Sequence, residues 1–140
     1  MKDKMKICEC GVEDAPKLAA MNQRLIEDEK SSNPMDLEQL TARMRGFLST
    51  EYRAWFFLEE DRVLGYALVR YTADPLYLRQ FYIERAYRRR HYGRQAFQLL
   101  LEHLRIDTID LDVLPWNEAG LAFWKDCGFG ETCISMRYQR

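Results

Sequence analysis

The sequence predicts an α/β protein (α+β with a mixed sheet), with elements in the order βααβββαβαβ. Three observations carry that expectation. An apolar, β-rich run at 76–83 leads into a basic turn at 84–93 and then into Phe97, Leu100, Leu101 and Leu104 at helical spacing. Two helical patterns stand in succession before residue 50, which a plain repeat of strand and helix does not produce. A hairpin pattern at 55–71 separates them from the central run. With 140 residues the chain can bury a real core, and residues 1–140 are read as one domain.

Taken in order, residues 5–10 form a first strand with Met5 and Ile7 inward. Asp14 suits the cap of the first helix and Pro16 its first turn. Ala15, Leu18, Ala19, Asn22, Leu25 and Ile26 then share one face. Asn22 is the polar member, either a hydrogen-bonded core residue or one facing a cleft. An acidic connection at 27–34 ends the helix. Asp36 and Gln39 match a capping box for a second helix, whose face is Leu37, Leu40, Thr41, Met44, Phe47 and Leu48. Strands at 55–58 and 63–71 flank a polar turn. In the strand 76–83, Leu78 and Phe81 are three apart, which fits a bulge. Residues 109–113 alternate as a strand, parallel to 76–83 if the crossover is right-handed. Asn117 caps a short helix with Gly120, Phe123, Trp124 and Cys127 on one face, and Gly128 stops it. Residues 133–138 read as a final strand.

Hydrophobic residues make up 47% and charged residues 31%, as in an ordinary globular protein. Apolar runs fall short of the ~20 residues a membrane span needs. The first residues lack the apolar core of a signal peptide, so a cytoplasmic location is expected. Cys8, Cys10, Cys127 and Cys133 match no zinc or redox spacing, and only two histidines are present. Free reduced thiols and no metal are expected. Net charge is −1 but uneven. Residues 1–60 hold 9 basic and 12 acidic residues, 61–105 hold 9 and 4, and 106–140 hold 3 and 6. A positive centre between negative flanks argues against a general nucleic-acid binder and for a compact anionic ligand, and the short apolar runs argue against a membrane partner.

That centre is the turn 84–93. A helix N-terminus carries partial positive charge and backbone N–H groups without helical partners. Arginines around it make a site for an anion such as a phosphate. The bland alternatives are a solvated charge run or a nucleic-acid patch. The strand end at 81–83 and the Asn117 helix open at the same end of the sheet, where ligands of parallel strands collect.

Residues 88–93, Arg-Arg-Arg-His-Tyr-Gly, follow the pattern Q/R-x-x-G-x-G/A, and residues 117–129 follow N-x-x-A-x-x-F-Y-x-x-x-G-F, with Asn117, Phe123, Gly128 and Phe129 in place. In these motifs and in its order of elements the chain resembles the GCN5-related N-acetyltransferases, the GNAT family. The resemblance implies the GNAT-like acyl-CoA N-acyltransferase fold, with acetyl-CoA as cosubstrate. It implies that Arg88, Arg89, Arg90, His91, Tyr92, Gly93 and Arg94 hold the pyrophosphate. The pantetheine arm would then pair with the edge at Phe81, Tyr82 and Ile83, and Asn117 and Phe123 would line its other side. A backbone N–H of that strand would polarise the thioester carbonyl. Gly93, lacking a Cβ, admits a close approach to the main chain.

Two departures from the family pattern matter. His91 replaces a glycine, where its side chain either crowds the phosphates or binds one. Trp124 replaces a tyrosine that serves as general acid, and an indole N–H cannot protonate a thiolate at neutral pH. The implied reaction is an acetyl transfer to a primary amine by direct attack in a ternary complex. Glu84 is a candidate base and Glu29 a weaker one; a surface partner for arginines is the alternative role for Glu84. Glu27, Asp28 and Glu29 suggest a cationic acceptor, unless they are only a solvated helix end. The acceptor is a small-molecule or peptide amine, and the family often dimerises. The rival reading is a catalytically silent CoA-binding or nucleic-acid-binding module on the same fold.

Overall fold

The computed structural model describes residues 4–88 and 91–140. Its elements are β1 (Lys6–Glu9), α1 (Ala15–Glu29), α2 (Leu37–Leu48), β2 (Tyr52–Glu59), β3 (Arg62–Arg70), β4 (Leu76–Ile83), α3 (Tyr92–Leu104), β5 (Ile109–Asp110) and α4 (Glu118–Asp126). The strands form one sheet in the order β1-β2-β3-β4-β5. Every neighbouring pair is antiparallel except β4 and β5, which run parallel. The mixed α/β class expected from the succession of two helices is therefore present.

Strand alternation sorts side chains to two cores. Ala54, Phe56, Tyr66, Leu68 and Tyr82 pack with Leu18, Met21, Leu25 and Met44 of α1 and α2. Trp55, Phe57, Ala67, Val69 and Leu78 pack with Ala96, Phe97 and Leu100 of α3, and Trp124 of α4 joins that side. The helices start where their sequences say. Asp36 Oδ1 accepts from Gln39 N–H at 2.8 Å and Gln39 Oε1 accepts from Asp36 N–H at 2.9 Å, which completes the capping box. Asp14 precedes α1 without capping it; its carboxylate accepts from Gly11 N–H at 2.8 Å and closes the preceding turn.

The bulge lies in β4 as expected. Leu68 pairs with Gln80 and Val69 with Leu78, so Arg79 is the extra residue. Beyond it, Gln80 and Tyr82 turn toward α1 while Phe81 and Ile83 turn toward α3. β3 approaches the end of β4 so closely that a Cβ on Gly65 would stand 1.9 Å from the Tyr82 carbonyl oxygen. Only glycine fits there.

Two strands differ from expectation. β5 is confined to Ile109–Asp110, paired with Leu76 and Tyr77, rather than running through 113. Asp112 instead accepts from the Tyr77 hydroxyl at 2.8 Å, and Pro115 soon follows without an N–H to give a ladder. The final strand at 133–138 does not form within the chain, so the observed order ends at α4. After the left-handed Gly128 (φ 105°), residues 129–140 run without regular structure and meet no strand to pair with. All four cysteines are free thiols. Among the described residues no helix is long and apolar enough to cross a membrane.

Candidate active site

β4 and the chain after β5 part company above the start of α3. Past Tyr77 and Asp110 the two strands no longer pair, so the far half of β4 keeps β3 on one side only. Phe81 forms the wall of this slot, with Phe123 stacked on it at 6.2 Å and 27° between rings. Asn117 accepts from Gly120 N–H at 3.0 Å and so holds α4, with Phe123, against the slot. At its end sits the N-terminus of α3. Asp36 caps α2 and Asn117 caps α4, whereas among the described residues α3, like α1, has no side-chain cap and no acid in its first turn. That leaves its positive end suited to an anion.

The cap residue of α3, His91, is left-handed at φ 63°, ψ 11°. This conformation favours glycine, which explains the glycine of the family pattern on backbone grounds alone. Gly93 serves packing. A Cβ there would lie 3.1 and 3.2 Å from Phe123 ring carbons and 3.8 Å from Ile83 Cγ1. The close approach it permits is of the helix start to the two walls of the slot. Tyr92 is half-buried, with its ring edge-on to Tyr87 at 6.2 Å. Arg94 is exposed on α3. Arg89 and Arg90 lie outside the described residues.

Much of the basic turn is strapped to the end of α1. Arg85 donates to Asp28 at 2.8 and 3.0 Å and to Glu27 at 3.4 Å. Arg88 donates to the Ile83 carbonyl at 2.8 Å, forms an ion pair with Asp28, and stacks over the Tyr82 ring at 5.2 Å. Arg24 engages both oxygens of Glu84, at 3.0 and 2.9 Å. The strap consumes two of the three acids at 27–29, and it binds Arg85 and Arg88 inward, which weakens a nucleic-acid patch.

Glu29 is the acid left over. Its carboxylate is half-buried with no hydrogen bond or ion pair among the described residues, and burial first, then Asp28, pushes its pKa up. Its backbone carbonyl accepts from Trp116 Nε1 at 2.9 Å, which ties the end of α1 to the loop before α4. Beneath it lies a buried polar network. The Tyr66 hydroxyl donates to Gln80 Oε1 at 2.8 Å, and Asn22 Oδ1 accepts from Arg43 at 3.1 Å. Burial drives the Tyr66 hydroxyl well above its ordinary range, with the Glu29 charge acting the same way and Asn22 against it. Asn22 is thus a satisfied core residue. The Tyr82 hydroxyl is buried without a partner in hydrogen-bond geometry, although Arg24 and Glu84 stand beside it.

Trp124 is enclosed by Phe81, Phe97, Phe123 and Phe129 at 4.7–5.3 Å between centroids. It packs α4 onto the sheet. Sequence reasoning passed over Arg24, Tyr66 and Gln80. Gln80 alone carried a signal, as the polar residue among β-formers in β4. Among the described residues no group of three or more His, Cys, Asp or Glu could hold a metal.

The GNAT acetyltransferase family matches residues 18–129, most of the chain. The chain belongs to that family. No curated protein matches the sequence. Solved structures share the GNAT fold. A predicted acetyltransferase of Clostridium acetobutylicum, solved with acetyl-CoA, is 18% identical with a TM-score of 0.73, covering 97% of this chain and 96% of its own. An aminoglycoside N-acetyltransferase in complex with CoA is 14% identical with a TM-score of 0.73, covering 100% and 97%. An aminoglycoside acetyltransferase from an uncultured soil metagenomic sample, in complex with sisomicin, is 15% identical with a TM-score of 0.66, covering 97% and 96%. At such identities the likeness speaks for fold.

Proposed function

We propose that this GNAT protein is an N-acetyltransferase that moves an acetyl group from acetyl-CoA to a primary amine by direct attack in a ternary complex. The observation that carries the reading is the slot between β4 and the loop after β5, which ends at the uncapped N-terminus of α3. Acetyl-CoA supplies a thioester-activated acetyl group and a pyrophosphate anion. Backbone N–H groups from His91 onward, with the side chains of Arg89, Arg90 and Arg94, are assigned to the pyrophosphate. Arg88 braces the cradle through Ile83 and Asp28. The β4 edge at Phe81, Tyr82 and Ile83 offers main-chain groups to an extended arm, and Phe123 and Asn117 close the other side.

The amine has to lose a proton before it attacks. Glu84 holds Arg24 with both oxygens, so one lone pair on each oxygen is engaged by the guanidinium. The Glu29 carboxylate has no hydrogen bond or ion pair among the described residues, and its pKa is raised by burial and then by Asp28, which makes it a stronger base than an ordinary glutamate. We therefore assign proton removal to Glu29 and a positioning role to Glu84, through Arg24. Trp124 supplies no acid. The structural neighbours that act on aminoglycosides support a small-molecule amine as acceptor. The free thiols support a reducing, cytoplasmic setting.

The test is thiol release from acetyl-CoA across a panel of polyamines, aminoglycosides, amino acids and peptide N-termini. Release that depends on one amine class supports transfer. Coenzyme binding with no amine-dependent release anywhere in the panel would identify a silent binder instead.

A further inference from the structure

The arginines on the α1 side of the sheet differ in their partners. Arg24, Arg85 and Arg88 each meet a carboxylate. Arg43, on α2, is half-buried and meets none among the described residues. Its hydrogen bond there runs to a neutral acceptor, Asn22 Oδ1, at 3.1 Å, and its guanidinium lies 5.3 Å from the centre of the Phe47 ring. Burial first, and then the charge of Arg79, pulls its pKa down. Arg79 is the extra residue of the β4 bulge. It lies 4.9 Å from the same ring and donates to the Tyr52 hydroxyl at 3.3 Å, again with no acid beside it among the described residues. A partly desolvated cation next to a second cation, with only neutral contacts, is a charge that a bound anion would stabilise.

Arg43 acts on the same buried hydroxyl as Glu29. Tyr66 feels both charges, with Glu29 pushing its pKa up and Arg43 pulling it down. Asn22, which anchors Arg43, and Glu29 share one face of α1 and lie about 10 Å apart along its axis. The network therefore has a carboxylate without a partner toward one end and a guanidinium without an acid toward the other. We propose that the acceptor is a free amino acid, with its amine at Glu29 and its carboxylate on Arg43. The inference rests on the reading of Glu29 as the base of an acetyl transfer. The planar fork of Arg43 suits a carboxylate, which it can hold by two parallel N–H···O bonds, and Arg79 adds charge from the bulge. Glu29 and Arg43 form no ion pair with each other, so a small zwitterion can lie between them. A polycationic amine would bring further positive charge against Arg43 and Arg79, which selects against it.

Calorimetric titration of the protein, with and without CoA, tests it with the common amino acids, each beside its own carboxamide. The carboxamide keeps the amine and the side chain and loses the anion. At least one amino acid should bind, and its carboxamide should bind about 10–100-fold more weakly, as expected for loss of a charged hydrogen bond. In Arg43→Gln that preference should disappear, read as the ratio of the two dissociation constants and, where transfer occurs, of the two kcat/KM values, with the loss carried in KM. Arg43→Lys keeps the charge but not the fork and should lie between. A general loss of stability would weaken both ligands together and leave the ratio unmoved. Carboxylate-dependent binding with no acetyl transfer would support the amino-acid site and overturn the transferase reading. If no amino acid binds, the proposal is overturned, and acetylation of polyamines or aminoglycosides in the same preparation would leave the transferase reading intact. A carboxamide that binds as tightly as its amino acid, or a preference that survives Arg43→Gln, overturns the proposal as well.

Discussion

Gly93 offers the sharpest mechanical test of the slot. In α3 the usual expectation is that replacing glycine stabilises, by about 0.5–1 kcal/mol for alanine, because glycine is a poor helix former. Here a Cβ would sit 3.1 and 3.2 Å from two ring carbons of Phe123, so the ring has to retreat by a few tenths of an ångström. For Gly93→Ala the two effects nearly cancel. For Gly93→Val the added methyl groups press on Phe123 and on Ile83, whose Cγ1 is only 3.8 Å from the new Cβ. Overpacking of this kind costs about 1–3 kcal/mol. For a domain of this size that is a melting-temperature loss of roughly 3–12 °C. Because Phe123 is half-buried and stacked on Phe81, the displaced ring enters the slot, and coenzyme affinity should fall along with stability. A double-mutant cycle with Phe123→Ala isolates the contact. Removing the ring should recover roughly 1 kcal/mol or more of the Gly93→Val loss, a coupling typical of residues in contact. Strict additivity between the two substitutions, read in urea midpoints and calorimetry, would refute the reasoning, because the clash would then lie elsewhere.

Glu29→Gln should slow amine acetylation by about 10²–10⁴-fold, the usual contribution of a general base. Its effect on stability should have the opposite sign. The folded pKa of Glu29 is raised, so the folded state holds the proton more firmly than the unfolded state, and stability falls as pH rises from the unfolded toward the folded pKa. The glutamine variant lacks that loss, so above this window it should melt higher than the parent; a variant that is both slower and less stable contradicts the assignment. In the parent, kcat/KM should climb with pH through an ionisation above the usual glutamate range, and this limb should vanish in the variant. Tyr66→Phe deletes the hydroxyl of a residue that is 0% exposed and leaves Gln80, 7% exposed, without its donor. The expected loss is about 1–3 kcal/mol by urea denaturation, and a neutral result would show that Gln80 finds another partner. His91→Gly removes a left-handed L-residue, a strain of about 1–2 kcal/mol, but loosens the unfolded chain by about 0.4–1 kcal/mol. Stability should therefore rise by up to about 1.6 kcal/mol; a marked drop would show that the imidazole holds a contact of its own.

The parts of the fold that were legible in the sequence are those set by local chemistry. The Asp36–Gln39 box, the interrupted alternation at Leu78 and Phe81, and the Asn117 cap each report one backbone event, and each is present in the structure. Asp14 shows the limit of that kind of reading, since its carboxylate chose Gly11 over the helix. The strand expected at 133–138 failed for a different reason. Alternation says that a segment would make a good strand, but a strand exists only with a neighbour, and no single-chain pattern supplies one. In the site, the basic turn was read from the residue types, and the two motifs through the resemblance to the family. The strap of Arg24, Arg85 and Arg88 onto α1 was not, because ion pairs nearly 60 residues apart leave no local pattern. It leaves Glu84 paired with Arg24, while the Glu29 carboxylate has no partner among the described residues.

The central claim is that the slot above α3 binds acetyl-CoA, and thermal melting against acetyl-CoA tests it most directly. At a ligand concentration about 100 times the dissociation constant, binding stabilises by about 2.7 kcal/mol, and the melting temperature should keep rising with the logarithm of concentration. The same titration on Gly93→Val should need far more ligand for the same rise. A parent protein that melts unchanged at millimolar acetyl-CoA would contradict the account.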